Sequence, residues 1–270
     1  MDIRAIAFDL DDTMLHDDRT LSPFTLRVLH RAAEMGVHII PASGRARDSI
    51  RPYAEEIGCA SCYIACNGAE IWSPSHELLR RFVFPDAVAR RIVAFARSHN
   101  AYAQTYWETR FYYCIDNEYA PAYSATSMLT GVYTPDLEGF IAGHPTGKIL
   151  MMDKPERIAA MLEDSRALFG DDASITCSKP WFLEFNPPGG TKGNALAACG
   201  ELLGFTPGQA MAFGDSLNDL SMITAAGLGV AVANAREDVR SRADAVCGSN
   251  EDDGPARMIC RQLSIEESDI

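Results

Sequence analysis

Ile3-Arg4-Ala5-Ile6-Ala7-Phe8-Asp9-Leu10-Asp11-Asp12-Thr13 is a short apolar run that stops abruptly in acids. It is too brief for a helix and apolar at odd and even positions alike, so it predicts a strand buried on both faces, as in a parallel sheet. Downstream, Ser22-Pro23 supplies an N-cap and a proline for the first helical turn, Val28/Ala32 and Leu29/Ala33 continue one apolar face, and Gly36 ends it. A strand over 37–42, a helix over 46–57 and a strand over 62–66 complete a βαβαβ alternation, which implies parallel strands joined by right-handed crossovers. The fold class predicted is α/β, with a Rossmann-like parallel-sheet core.

From Glu70 the pattern changes. Hairpin-like segments at 69–72, 79–84, 102–107 and 110–115, a helix over 86–98 and a strand–helix pair at 148–152 and 155–169 predict an inserted α+β domain. The alternation resumes with a helix over 192–203, a strand at 210–214, a helix over 218–226, a strand at 228–232, a short helix near 236–242 and a last helix from 254. The expected division is a discontinuous core, 1–82 with 186–270, and an insertion of 83–185. The acidic tail after Ser264 is expected to fray.

At 270 residues, 47% hydrophobic and 23% charged, the composition is that of an ordinary globular protein. Lysine and arginine number 24 against 37 acids, a net charge of −13 that disfavours nucleic-acid and anionic-membrane partners. No stretch approaches the ~20 apolar residues of a membrane span. Met1-Asp2-Ile3-Arg4 lacks the character of a signal peptide, and the eight irregularly spaced cysteines read as reduced thiols, so a cytoplasmic protein is expected.

Four polar clusters fall at the carboxyl ends of strands or the starts of helices, the edge at which open α/β sheets bind ligands. Asp9 and Asp11, two apart, can aim at one point, where a cation or a shared proton must relieve their repulsion; the alternative is a set of loop acids. Ser43-Gly44-Arg45 offers a hydroxyl, an amide and a helix start for a phosphate oxygen, or a simple N-cap. Gly189-Gly190-Thr191-Lys192-Gly193 opens a helix whose Lys192 can neutralise a phosphoryl group or be solvated. Gly214-Asp215-Ser216-Leu217-Asn218-Asp219 closes another apolar strand in acids, a signature of metal or phosphate binding.

In this order, Asp9-x-Asp11-x-Thr13, Ser43-Gly44-Arg45, Lys192-Gly193 and Gly214-Asp215-x-x-Asn218-Asp219 resemble the four motifs of the haloacid dehalogenase superfamily. The insertion resembles its C2-type cap, and Cys66-Asn67-Gly68-Ala69, Leu183-Glu184-Phe185-Asn186-Pro187 and Val232-Ala233-Asn234-Ala235 resemble the Cof-type subfamily. Asp12 and Ser216 stand where the subfamily often has glycine, and Ser43 where threonine is common.

The resemblance implies a Mg²⁺-dependent phosphatase of small phosphorylated metabolites, sugar phosphates first. Asp9 would be the nucleophile that forms an aspartyl-phosphate, and Asp11 the general acid–base. Mg²⁺ would be held by Asp9, the Asp11 backbone carbonyl and Asp215, with Asp219 in support. Ser43, Gly44, Lys192 and Asn218 would hold the phosphoryl oxygens, Arg45 and Arg47 would orient the substrate, Asn234 would lie at the rim, and Thr13 would brace the Asp11 loop. A phosphomannomutase-like phosphotransferase and a non-catalytic phospho-ligand sensor are the alternatives, and a monomer or small homo-oligomer is expected. Cys59, Cys62 and Cys66 read as small hydrophobes rather than a metal site. The aromatic run from Tyr102 to Tyr123 reads mainly as core, with stacking on a ligand as the alternative.

Overall fold

The computed structural model describes residues 2–266, 268 and 270. The expected fraying of the tail and the reading of the N-terminus fall partly on Glu267, Asp269 and Met1, which lie outside the described residues.

The opening run forms the strand Ala5–Phe8, an interior strand of a five-stranded parallel sheet ordered Ala245–Val246, Leu228–Ala231, Ala210–Gly214, Ala5–Phe8, His38–Pro41. Its side chains divide as a doubly buried strand requires. Ile6 and Phe8 join Ile39, Met211 and Phe213 in one core cluster, while Ala5 and Ala7 join Ile40, Ala210 and Ala212 in another. The second face is mostly alanine where the helix Lys192–Leu203 packs, through Ala195, Leu196 and Cys199. Small side chains there let that helix approach closely, with its first turn at the sheet's carboxyl edge.

Helix Pro23–Glu34 starts as expected, Ser22 Oγ accepting from the Thr25 amide at 2.9 Å. The segments near 70 and 80 form Glu70–Trp72, which pairs with Tyr63–Ala65, and Leu78–Arg81, which pairs with Glu70–Trp72, in a separate three-stranded antiparallel sheet. Tyr63–Ala65 stands beside the parallel sheet through a bridge between Ala42 and Ile64, so this sheet extends the core side. At the turn before Glu70, Gly68 has φ +111, and a Cβ there would lie 2.2 Å from the Thr191 carbonyl oxygen, so only glycine fits.

A six-stranded sheet follows, ordered Ser174–Thr176, Phe182–Asn186, Ile149–Met152, Tyr102–Trp107, Arg110–Tyr113, Thr130–Tyr133; all its pairs are antiparallel except the last. Helices Asp86–Ser98, Leu137–Ile141 and Pro155–Phe169 cover one face through Ile92, Ile141 and Met161. The other face carries Tyr102, Phe111, Leu150 and Met152 and meets helix Tyr119–Ser127. Among the described residues no helix is long and apolar enough to cross a membrane.

Candidate active site

The acids that end Ala5–Phe8 and Ala210–Gly214 meet because those strands are hydrogen-bonded neighbours in register, Phe8 opposite Phe213. Carboxylate oxygens of Asp9, Asp215 and Asp219 lie within 4.8 Å of one another. Lys192, fully buried, donates from Nζ to Asp9 Oδ1 and, at 2.5 Å, to Asp219 Oδ1. Asp219 is committed further: its Oδ2 accepts the amides of Asp215 and Ser216, each at 3.1 Å, which fixes the turn carrying Asp215. Thr13 Oγ1 donates to Asp215 Oδ1 at 3.2 Å, so it braces that acid rather than the Asp11 loop.

Burial pushes Asp9 up to about 8, against the pull of Lys192 and with the repulsion of Asp219 and Asp11. Burial, then Asp219 and Asp9, raise Asp215 to about 9. Burial works against the Lys192 ammonium, yet Asp219 and Asp9 outweigh it and hold the amine charged. Three crowded carboxylates with oxygens at this separation suit a small hard divalent cation, which would replace the protons that Asp9 and Asp215 otherwise retain.

Asp11 points elsewhere. Arg45 grips it as a fork, Nε to Oδ2 at 2.7 Å and Nη2 to Oδ1 at 2.6 Å. Burial opposes ionisation of Asp11, but the Arg45 hydrogen bonds and charge prevail and hold its carboxyl below the usual range. The fork is possible because Asp12 turns the chain, at φ 60 and ψ 7, a left-handed conformation that aspartate tolerates. Asn234 steadies the same turn, donating to the Asp12 carbonyl at 2.7 Å.

Ser43 is buried, with its amide on the Ile64 carbonyl and its Oγ accepting from the Arg45 amide at 3.2 Å. Asp9, Asp11, Ser43, Gly44, Arg45, Asp215 and Asn218 line one cavity of about 470 Å³, and Lys192 and Asp219 sit directly beneath Asp9. Arg47 is apart from them, bound to Asp48 and lying over the Trp72 ring.

Sequence reasoning gave no role to five side chains that complete the floor, Ser216, Asn67, Asn186, Lys148 and Glu184. Ser216 Oγ donates to Asn218 Oδ1 at 2.6 Å, Asn218 Nδ2 to Asn67 Oδ1 at 3.0 Å, Asn67 Nδ2 to Asn186 Oδ1 at 3.1 Å, and Asn186 Nδ2 to the carbonyls of Cys66 and Gly147. From the six-stranded sheet, Lys148 Nζ reaches the Gly44 carbonyl at 2.9 Å and Glu184 Oε1 at 2.5 Å. The alternation Leu183-Glu184-Phe185-Asn186 is the signal that finds two of them, since it predicts a strand with Glu184 and Asn186 on one face.

A parallel sheet with an acid at an interior strand's carboxyl end, a buried lysine and an acidic turn at one edge defines a class, and the wider comparison agrees. The family profile of the haloacid dehalogenase-like hydrolases matches residues 6–259, and the chain belongs to that family. Among its relatives, the 5-amino-6-(5-phospho-D-ribitylamino)uracil phosphatase YcsE of Bacillus subtilis is 32% identical over 96% of this chain and 95% of its own. The HMP-PP phosphatase of Cronobacter sakazakii is 31% identical over 85% and 84%. The solved structure of a haloacid dehalogenase-like hydrolase from B. subtilis superposes with a TM-score of 0.84 at 28% identity, covering 95% of this chain and 99% of that one.

Proposed function

We propose that the protein is a Mg²⁺-dependent phosphatase of small phosphorylated metabolites that works through a phosphorylated Asp9. The observation that carries this reading is the buried Lys192 held between Asp9 and Asp219, a cation placed where an aspartate would meet a phosphoryl group. The relatives named above are phosphatases, which supports the same class. Sugar phosphates are the substrates that the family resemblance suggests first, although the apolar side chains lining the cavity fit a less polar leaving group better.

In the first step an Asp9 oxygen attacks phosphorus in line with the ester oxygen, and the bond from phosphorus to the leaving group breaks. Asp11 delivers a proton to that leaving oxygen. In the second, Asp11 takes a proton from water as the water oxygen attacks phosphorus, and the bond from phosphorus to Asp9 breaks. Ser43, the backbone amides of the Gly44 turn, Lys192 and Asn218 hold the equatorial oxygens, where charge gathers in the transition state. Asp9 and Asp215 would hold Mg²⁺, oriented by Asp219; when bound, the ion screens the attacking carboxylate from the phosphoryl charge. Residues 83–185 would act as a cap that excludes water from this chemistry.

Phosphate release from a panel of phosphate monoesters is the test. Turnover is expected with Mg²⁺ and is lost on chelation with EDTA; metal-independent turnover would overturn the mechanism.

The Arg45 fork makes a second prediction. A general acid must carry a proton at the first step, whereas Arg45 favours the carboxylate, so Arg45 must turn to the substrate when the phosphoryl group binds. In Arg45→Met the alkaline limb of the kcat/KM profile is expected to move to higher pH, because Asp11 then keeps its proton longer, and KM is expected to rise. A profile that stays put would detach Asp11 from the acid role.

A further inference from the structure

The face of the six-stranded sheet above the phosphoryl site is made by simple alternation. Ile149, Met151, Leu183 and Phe185 pack beneath the helices, while Leu150, Met152, Phe182 and Glu184 turn to the cavity. Tyr119 and Tyr123 from helix Tyr119–Ser127 and the half-exposed Trp181 complete the wall. The Tyr123 and Phe182 rings stand 6.5 Å apart and tilted by 56°. Such a wall accepts flat apolar surface and offers little to a ring of sugar hydroxyls.

Two polar side chains, Lys148 and Glu184, interrupt it, and Glu118, Thr126, Ser178 and Lys179 stand elsewhere on the cavity lining. Glu184 lies directly across from Leu150, itself across from Gln104, and is 2% exposed. Its Oε1 takes the Lys148 ammonium, but its Oε2, equally buried, has no partner among the described residues. Buried carboxylate oxygens are costly to leave unpaired, and this one belongs to a residue of the cavity lining. Lys148 also holds the Gly44 carbonyl, so the distance from Glu184 to the phosphoryl-binding turn is fixed.

Resting on the phosphatase reading above, we infer that Glu184 Oε2 selects the leaving group, accepting a hydrogen bond from an O–H or N–H on a flat, ring-bearing alcohol. The ring packs against Tyr123, Phe182 and Met152, with the phosphoryl group at Asp9. The substrate class is therefore a phosphate monoester of an aromatic or heteroaromatic alcohol that carries a donor on its ring.

Four compounds test this by phosphate release with Mg²⁺ present: benzyl phosphate, 3-hydroxybenzyl phosphate, 3-aminobenzyl phosphate and glucose 6-phosphate. The wild-type protein is expected to favour the hydroxy- or aminobenzyl compound over benzyl phosphate by about 10- to 100-fold in kcat/KM, with glucose 6-phosphate last. In Glu184→Gln the amide oxygen can still hold Lys148 while the amide nitrogen, a donor, faces the ring, and the preference is expected to fall to about threefold or less. A wild type without the preference, one that favours glucose 6-phosphate, or a variant that keeps the wild-type ratio would overturn the assignment and leave the phosphatase reading standing. The wild-type ranking decides the matter even where the variant folds poorly. No release from any of the four would overturn the phosphatase reading and this assignment with it.

Discussion

Asp9→Asn is expected to lower phosphate release by about 10⁴-fold or more, because the amide is a poor nucleophile and no neighbouring carboxylate is placed to substitute for it. Asp11 is engaged by Arg45, Asp215 by Thr13, and Asp219 by two amides and Lys192. The same variant carries a stability signature. An acid raised to about 8 in the folded protein, from an ordinary value near 4, holds a proton that the unfolded chain has released throughout that interval. The metal-free wild type therefore loses stability from Asp9 as pH rises from about 4 to 8, and Asp9→Asn removes that part of the slope. Melting temperatures in EDTA at pH 5 and pH 8 read it directly. Equal slopes in the two proteins would mean that Asp9 is ionised throughout, and residual turnover within tenfold of wild type would remove Asp9 from the chemistry.

Lys192→Ala is the second large effect, expected on two axes at once. Loss of a preorganised cation at the phosphoryl oxygens costs about 10²- to 10³-fold in kcat. Loss of the buried ammonium also leaves Asp9 and Asp219 facing each other with no cation between them, a change worth about 3–5 kcal/mol of stability. Denaturant titration and steady-state kinetics separate the two. A lysine that merely filled space would show the second loss without the first, and Lys192→Met, which keeps most of the volume, would then recover the stability.

The core was legible because its signals are local. A doubly apolar run ending in acids can hardly be anything but a buried strand at a ligand edge, and Ser22-Pro23 or Thr191-Lys192 mark helix starts within two residues. Helix Tyr119–Ser127 was not legible, since it contains Pro121, lacks an apolar stripe and is held from outside, by Tyr123 against the Phe111 ring at 5.1 Å and bonded to the Tyr106 hydroxyl at 2.7 Å. Spacing also placed Arg45 near the phosphoryl site without revealing that its fork closes on Asp11, 34 residues earlier in the chain. Asn67 was beyond reach for a related reason: it is a neutral amide at φ 60, and its value depends on partners that are 151 and 119 residues away.

The row from the Ser216 hydroxyl through the amides of Asn218, Asn67 and Asn186 has a direction: Ser216 donates into it, and each amide accepts through its oxygen from the side of the acidic turn and donates through its nitrogen away from it, ending on the carbonyls of Cys66 and Gly147. Rotating any one amide would set donor against donor on one side and oxygen against oxygen on the other, so the row holds or fails as a unit. Asn186 is the last residue of its strand, and if residues 83–185 form the proposed cap it is the residue at which the core resumes. An exchange of residues 83–185 between relatives, made to change what the enzyme accepts, would therefore do better to cut before Asn186 than beyond it, because a graft that brings a different side chain to that position would unmake the floor beneath the substrate while leaving every acid in place.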